Sequence, residues 1–176
     1  MPQLSILIIT GGLYHDFPYD WGAHLIFLAL LLMAAPIASV TATAQKRLWH
    51  RVANEDHIEA CFRFKNGATL DFEISTVASV PRPLWRILGT RGGILDYWDD
   101  TSFQLAVHQS GITSAPQRVK YRTRQGYRYY ENIADHPGLD DPLEITAEKA
   151  GAVVHVLHAI DKAAQSGKGE SVCGEA

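Results

Sequence analysis

The densest run of apolar residues in the chain, Leu25–Pro36, predicts a helix that is buried in the core. We place its start near Asp20, because aspartate is a favoured N-cap, and its end before Pro36, which cannot continue a helix. The run is shorter than the roughly 20 residues that a membrane-spanning helix needs. β-Branched residues then predict a strand from Ile37 to about Trp49. The pattern indicates a core helix and no membrane contact.

A clean alternation of apolar and polar residues predicts a β-hairpin across residues 57–74. A two-residue Asn-Gly loop would set Phe62 opposite Asp71 and so mix the two faces. A three-residue loop over 65–67, with Gly67 in the left-handed conformation, instead pairs Phe62 with Leu70 and Ala60 with Phe72. We therefore predict the three-residue loop. The apolar face of the first strand comprises Ile58, Ala60, Phe62 and Phe64, and that of the second comprises Leu70, Phe72 and Ile74.

Further strands and two further helices are expected in the second half of the chain. The strand segments are Leu84–Thr90, Ile94–Trp98, Phe103–His108 and Gln117–Arg122, with a turn at residues 91–93. A short helix is predicted over Tyr127–Asp135, closed by Pro137 and Gly138.

The last predicted helix has a capping residue at each end. Thr146 is a suitable N-cap, Glu148 lies in the first turn where the helix dipole favours an acid, and Gly167 is a natural stop. An apolar stripe at helical spacing is predicted to face the core, formed by Ala150, Val153, Val154, Leu157, Ile160 and Ala164.

One helix, a run of strands and then further helices form an α+β order rather than an alternating βαβ order. We expect one domain over residues 11–170 and a tail over 171–176. Residues 1–10 fit either a short strand or an irregular remnant of something longer. Their sequence lacks the basic region and the small-residue cleavage site of a signal peptide.

Composition argues against a nucleic-acid partner and favours a reducing compartment. A chain of 176 residues can bury a sizeable core, and its net charge of −3 carries no basic footprint for nucleic acid. The two cysteines form no disulfide framework, which favours a reducing, cytoplasmic setting. Cys61 lies in a strand pattern and is expected to be a small buried or interface residue rather than a catalytic one.

Asp20 and His24 are the leading candidates for chemistry. Four residues apart on a helix, they share one face, so the carboxylate can accept from one imidazole nitrogen and leave the other free to move a proton. The alternative stays open that Asp20 is only a helix cap and His24 a core histidine.

Other chemical signals are weaker. His155, His158 and Asp161 are spaced by three, so they drift around a helix and cannot converge on a metal. The chain contains neither G-x-G-x-x-G nor the P-loop motif, so no dinucleotide or nucleotide cradle is predicted.

A series of segments resembles the C-terminal domain of the Gfo/Idh/MocA family of NAD(P)-dependent sugar and cyclitol oxidoreductases. The resemblance covers about residues 11–170. The segments, in family order, are YDWGAHLI (19–26), SVTA (39–42), DHIEACFRFKNGA (56–68), PLWRILGTRGG (83–93), YYENIADH (129–136) and PLEITAEKA (142–150).

The resemblance implies a large, mostly antiparallel sheet with helices on one face and a homo-oligomer contact through the open face. It implies that His24 is the acid/base that moves the substrate hydroxyl proton and that Asp20 orients it. Tyr19 and Trp21, which flank Asp20, are then candidate contacts for a sugar-like substrate. NAD or NADP is implied for a complete family member.

The chain departs from the family pattern in three respects. The N-terminal Rossmann domain and its Glu-Lys-Pro motif have no counterpart, and Phe27 stands where the family usually has aspartate. No cofactor is therefore expected to bind this chain alone, and a Rossmann-domain partner is implied. The leading hypothesis is the substrate-binding and oligomerisation half of such an oxidoreductase, inactive in isolation. The alternatives are a non-enzymatic self-associating module and a small-ligand binder.

Overall fold

The computed structural model describes residues 5–11, 21–80, 82–97, 101–121 and 128–172. The helices are α1 (Trp21–Met33), α2 (Arg128–Leu139) and α3 (Ala147–Ser166). The strands are β1 (Ser5–Gly11), β2 (Ile37–Gln45), β3 (His57–Phe64), β4 (Thr69–Ser75), β5 (Trp85–Gly89), β6 (Gly92–Asp96), β7 (Ser102–Gln109), β8 (Ile112–Thr113) and β9 (Gln117–Lys120).

The nine strands of the described ranges form one sheet in the order β2-β3-β4-β1-β5-β6-β7-β8, and β9 also pairs with β7. Every neighbouring pair is antiparallel except β1 with β4, which is parallel. The predicted α+β class with a large, mostly antiparallel sheet is confirmed. No helix in the described ranges combines the length and apolarity that crossing a membrane requires.

The core lies between one face of β2–β4 and the helices α1 and α3. Phe62 and Phe72, on adjacent strands, are fully or almost fully buried, and Leu157 of α3 is buried with them. The alternation of β3 is the cause, because Ile58, Ala60, Phe62 and Phe64 all point to this face. Burying each large side chain contributes roughly 1.5–3 kcal/mol relative to leaving it exposed.

The predicted β3–β4 hairpin is confirmed in its register and its loop. Phe62 pairs with Leu70 and Ala60 with Phe72. Gly67 has φ +84°, and its N–H donates to the carbonyl of Phe64. Three residues lie between Phe64 and Ala68, as the parity of the apolar positions requires.

Ser5–Gly11 form an interior strand, so the interpretation of residues 1–10 as an irregular leader is wrong from Ser5 onward. β1 pairs with β4 on one side and with β5 on the other. Both of its neighbours pair with its backbone N–H and C=O groups, so β1 is a central strand and not an edge strand. The short-strand alternative is therefore the one that the structure contains.

Two strand boundaries differ from the prediction. β2 ends at Gln45 rather than near Trp49, because the following backbone N–H groups turn away to a buried carboxylate that is described below. The turn between β5 and β6 is Thr90-Arg91, and Gly92 already belongs to β6, paired with Gly89. The short strand β8 was not predicted.

The helix boundaries are close to the prediction, with one exception. α1 ends at Met33, where Ala34 takes a left-handed φ of +44°. α2 continues through Pro137 to Leu139, whereas we expected it to close before the proline. In the last turn the proline removes only one backbone hydrogen bond, and the helix ends instead where Asp140 adopts φ +56°.

Both predicted caps of α3 are confirmed, but its buried face is rotated. The Thr146 side chain accepts from the N–H of Lys149, and Gly167 has φ +64°. Val154 is 55% exposed and Ala150 is also exposed, contrary to the prediction. The residues that are buried are Val153, Val156, Leu157, Ala159, Ile160 and Ala163. α3 itself carries apolar residues on more than one side, so apolarity alone does not determine which side faces the core.

Candidate functional site

A glycine sets the position of the first turn of α1. A Cβ added to Gly22 would lie 3.2 Å from Ile74 Cδ1 and 3.5 Å from Leu157 Cδ2. A larger residue would push this end of the helix away from β4 and α3. The glycine thereby fixes the place of Trp21 and His24, which belong to the same turn.

The structure describes two of the four predicted site residues, and both face solvent. Trp21 is 51% exposed and His24 is exposed. His24 is therefore not a core histidine. The other part of that alternative, in which Asp20 is only a helix cap, remains open. Tyr19 and Asp20 lie outside the described residues, so the Asp20–His24 contact remains a prediction.

The outward side of α1 is apolar apart from His24. At about 100° per residue, Trp21, His24, Leu28, Leu31 and Leu32 fall within an arc of roughly 100°, and all five are exposed. We call this set the α1 stripe. Four of its members are large apolar side chains, and Leu31 is 54% exposed. A helix that is apolar on every side is normally buried on every side.

Sequence reasoning missed Asp56, the most completely enclosed carboxylate of the described chain. Its residue exposure is 0%, and it accepts from the backbone N–H of Arg47 at 2.7 Å, Leu48 at 2.5 Å and Trp49 at 2.8 Å. Burial alone would raise the pKa of Asp56, but the backbone N–H bonds outweigh that effect and lower the pKa to about 2.

Asp56 holds the β2–β3 connection rather than a ligand. Its own N–H donates to Gln45 and its carbonyl accepts from Thr76, so it joins three segments of chain. All of the contacts named here are internal. The sequence does not distinguish Asp56 from the neighbouring Glu55. The partners of Asp56 are backbone N–H groups, which every residue except proline has, so no particular residue types mark the site.

The sheet face opposite the helices carries a row of polar side chains. Glu59 of β3 is directly opposite Glu73 of β4, and like charges at such a pair are unfavourable. Arg82 offsets this by donating to Glu73 at 2.7 Å. His57 is buried beside Glu59, with Nε2 3.4 Å from its carboxylate. A shallow groove of about 520 Å³ follows this row and is lined also by Thr41, Cys61 and Asp71.

The groove offers neither an activated thiol nor a metal centre. Burial, together with the neighbouring Asp71, raises the pKa of the Cys61 thiol, which disfavours the reactive thiolate. Across the described ranges, no three His, Cys, Asp or Glu side chains are grouped so that they could hold a metal ion. His155 and His158 are both exposed on α3.

The described glycines do not form a dinucleotide cradle. Gly67 and Gly111 are in hairpin turns, Gly92 begins a strand after a turn, and Gly167 caps a helix. A pyrophosphate is normally bound where a strand turns into the N-terminus of a helix. The part of the chain that the structure describes therefore does not fit NAD or NADP by itself.

Residues 16–95 match the sequence profile of the GFO/IDH/MocA C-terminal domain. The match includes the quoted segments from residue 19 to residue 93 and confirms the resemblance there; the segments at 129–136 and 142–150 lie outside it. No curated protein matches the chain.

Solved structures share the fold at low sequence identity. The YvaA protein of Bacillus subtilis superposes with a TM-score of 0.87 at 14% identity, over 97% of this chain and 58% of that one. An NAD-binding protein from Listeria innocua gives 0.75 at 22% identity, over 98% and 56%. An aldose–aldose oxidoreductase from Caulobacter crescentus, solved with glycerol, gives 0.73 at 17% identity, over 95% and 55%. The chain thus spans little more than half the length of these proteins.

Proposed function

Starting from the C-terminal oxidoreductase domain that residues 16–95 match, we propose that this chain is the substrate-binding half of an NAD(P)-dependent oxidoreductase. Its substrate is a sugar- or cyclitol-like secondary alcohol. The chain is inactive alone, and a Rossmann-type dinucleotide-binding unit, in the same polypeptide or in a partner, supplies the cofactor. The setting that we propose is cytoplasmic.

The observation that carries this proposal is the exposure of His24 at the end of α1. It is the one polar member of the α1 stripe, so an incoming alcohol would meet a single group that can take a proton. In oxidation of the alcohol, His24 takes the hydroxyl proton, and Asp20 holds the imidazole in the required orientation. Trp21, with its half-exposed ring, and Tyr19 contact the carbon face and the hydroxyl groups of the substrate.

Calorimetric titration separates this proposal from its alternatives. The purified chain is titrated with NAD(H), with NADP(H) and with a panel of sugars and cyclitols. We expect no cofactor binding and weak sugar binding that His24→Gln removes. His158→Gln, an exposed histidine on α3, is the matched control and leaves binding unchanged. Micromolar cofactor binding by the chain alone would refute the proposal that the dinucleotide site lies elsewhere.

The same titration tests the small-ligand binder. If sugars bind through His24, the ligand panel is repeated with the chain joined to a dinucleotide-binding unit. Binding that never leads to nicotinamide reduction would favour a binder without redox chemistry.

A second function, self-association, is favoured by the sheet face that α1 and α3 leave uncovered. We propose that the groove along Glu59, Glu73 and Asp71 lies against a second copy of the chain, so that the domain is a homo-oligomer. Sedimentation velocity tests this with Asp71→Arg, since Asp71 is exposed on this face. Dissociation into monomers supports the contact, whereas an unchanged sedimentation coefficient rejects it. If His24→Gln and Asp20→Asn leave both ligand binding and assembly unchanged, the non-enzymatic module is the better interpretation.

A further inference from the structure

We propose that a cavity at the carboxyl end of α1 binds a small organic ammonium ion, that is, a protonated amine attached to an apolar body. The cavity has a volume of about 510 Å³ and lies where the end of α1, the start of β2 and the first turns of α3 meet. Small-molecule sites commonly have volumes of roughly 300–1,000 Å³. We call it the α1–α3 cavity. Its lining includes Leu30, Ala34, Ile37, Glu148, Gly151 and His155.

The α1–α3 cavity is separate from the candidate site around His24. The two helices run antiparallel, because Gly22 near the start of α1 lies beside Leu157, whereas Leu30 near its end shares the cavity with Gly151. At a rise of 1.5 Å per residue, about 13 Å of helix separates His24 from the last residue of α1. Ligand binding in the cavity is therefore independent of the proton transfer proposed for His24.

A glycine in the interior of α3 keeps the cavity open. Gly151 occupies a helix position where glycine is less favourable than any other residue except proline. Apart from its chain neighbours and the backbone of its own helix, no heavy atom of the described chain lies within 4 Å of a Cβ added there. Packing therefore does not require a glycine. A larger side chain at this position would project into the cavity and fill it.

Ala34, which also lines the cavity, has a left-handed backbone conformation with φ +44°. Glycine is the usual residue in that conformation, because a Cβ makes it less favourable. Gly151 and Ala34 are thus both unfavourable residues for their backbone positions, and they lie on one cavity. Local costs of this kind are concentrated at functional sites, where they serve binding rather than stability.

The floor of the cavity is apolar. Ile37 and Val156 are 6% and 4% exposed, and Leu30 is partly buried against the same core. Covering apolar surface with an apolar group is favourable because it removes that surface from water. A ligand that fits this floor therefore carries an apolar body.

Charge around the cavity favours a cation. Hydrogen bonding by the Thr146 side chain holds the pKa of the exposed Glu148 below its usual value, so this carboxylate is ionised at neutral pH. The nearest cation along the chain, Lys149, donates its Nζ to the carbonyl of Glu144. His155, the other titratable side chain among the described lining residues, lies seven residues along α3 and so about 10 Å away.

The carboxyl end of α1 adds to this negative potential. The last turn of α1 contains no basic residue, so its own sequence does not compensate the negative end of the helix dipole. An ammonium group beside Glu148 would interact with a carboxylate and with helix-end carbonyl groups, both of which accept hydrogen bonds. An anionic ligand would be repelled by both.

Two-dimensional amide NMR of the full 176-residue chain tests the site with three probes of similar shape. The probes are the 2-phenylethylammonium ion, the neutral 2-phenylethanol and the anionic phenylacetate. We expect the ammonium ion to cause saturable shifts of the Ala34, Gly151 and Val156 amide signals, with no shift at Gly111 in the β7–β8 turn. Its affinity should exceed that of the alcohol about fivefold, the scale of one exposed ion pair, and that of phenylacetate about tenfold or more.

Matched variants locate the binding. Glu148→Gln should lower the affinity for the ammonium ion about fivefold and leave that for the alcohol unchanged, whereas Glu131→Gln, in the first turn of α2, should alter neither. Gly151→Leu should fill the cavity and remove saturable binding of both probes, whereas Val154→Leu, on an exposed side of the same helix, should not. Urea unfolding checks that each variant is folded. If Gly151→Leu is not, Ala152→Leu at an exposed lining position takes its place.

Four results would overturn the inference. The ammonium ion could give no saturable shifts. The three probes could bind equally, which would leave an apolar cavity without a preference for charge. Binding could survive in folded Gly151→Leu, which would place it elsewhere on the protein. The same amide signals could shift with protein concentration in the absence of a probe, which would make a second copy of the chain the occupant.

Discussion

Replacing Asp56 with asparagine tests whether one buried carboxylate determines the path of the chain between β2 and β3. In the native protein one carboxylate oxygen accepts from Arg47, and the other accepts from both Leu48 and Trp49. Asparagine keeps one acceptor oxygen and places an NH₂ group where the second was. At least one buried N–H then faces another donor.

The expected loss can be worked from the hydrogen bonds and from the pKa. A buried donor left unsatisfied costs about 1–3 kcal/mol, and Asp56→Asn leaves one or two. The pKa of Asp56 is lowered from 3.8 to about 2, and at 1.36 kcal/mol per unit this corresponds to about 2 kcal/mol of stability from ionisation. We expect Asp56→Asn to lower the free energy of unfolding by about 2–4 kcal/mol at pH 7.

The pH dependence gives the prediction its sign. Because the folded-state pKa is depressed, the stabilisation is complete above the unfolded pKa of 3.8 and is lost as the pH falls towards about 2. Urea unfolding of both proteins at pH 7 and at pH 3 should show their difference shrinking by about 1 kcal/mol.

Asp141→Asn is the matched control, because Asp141 is an exposed aspartate in the connection between α2 and α3. It should change the free energy of unfolding by less than about 0.5 kcal/mol at either pH. If Asp56→Asn is equally mild, or if its effect is the same at pH 7 and pH 3, the ionised carboxylate does not hold this connection.

Three other substitutions test the packing and the caps, each by urea unfolding. Gly92→Ala should lower the free energy of unfolding by more than about 3 kcal/mol, because Gly92 has φ +148° and the new Cβ would lie 2.2 Å from the Ala106 carbonyl oxygen. Gly111→Ala, at φ +79° in open space, should lower it by only about 1–2 kcal/mol. Equal losses would contradict the steric argument. Thr146→Ala should cost about 1 kcal/mol through loss of the α3 cap, and Thr146→Ser should recover most of it; a serine variant as unstable as the alanine variant would show that the hydroxyl is not the cause. Phe62→Ala should cost about 3–5 kcal/mol because Phe62 is 0% exposed, with Phe62→Leu milder, and a loss below about 1 kcal/mol would place Phe62 outside the core.

Local patterns predicted those features of the fold in which neighbours along the chain decide the outcome. The β3–β4 register followed from the parity of Phe62 and Leu70, and the caps of α3 followed from Thr146 and Gly167. These are short-range choices of face, loop length and backbone conformation.

Features that depend on distant partners were not predictable in the same way. The strand at Ser5–Gly11 is defined by β4 and β5, which lie far along the sequence. The end of β2 depends on Asp56, whose carboxylate accepts from three backbone N–H groups that any residue except proline could provide. The buried side of α3 depends on which neighbour it meets, and Val153 and Val154 are equally apolar.

The sequence predicts individual residues of the candidate site, but not the exposed apolar surface of α1 on which they lie. His24 and Trp21 were identified from their spacing and from the family resemblance, and both are exposed on α1. The same apolar run predicts a helix that is buried on all sides. The sequence does not show that Leu28 and Leu31 face outward, because α1 contains no polar residue except His24 to mark a solvent side.

The central place of β1 has a consequence for the order of folding. β4 and β5 follow one another along the chain, yet β1 separates them in the sheet. The meanders β2–β3–β4 and β5–β6–β7 can each form from local contacts. They do not join until β1, which lies about 60 residues before β4 along the chain, inserts between β4 and β5. Closing so long a loop is slow, and until it happens two strand edges and an apolar segment stay open to other chains. We therefore expect the rate of this insertion, rather than the stability of either meander, to set how much newly made protein escapes aggregation.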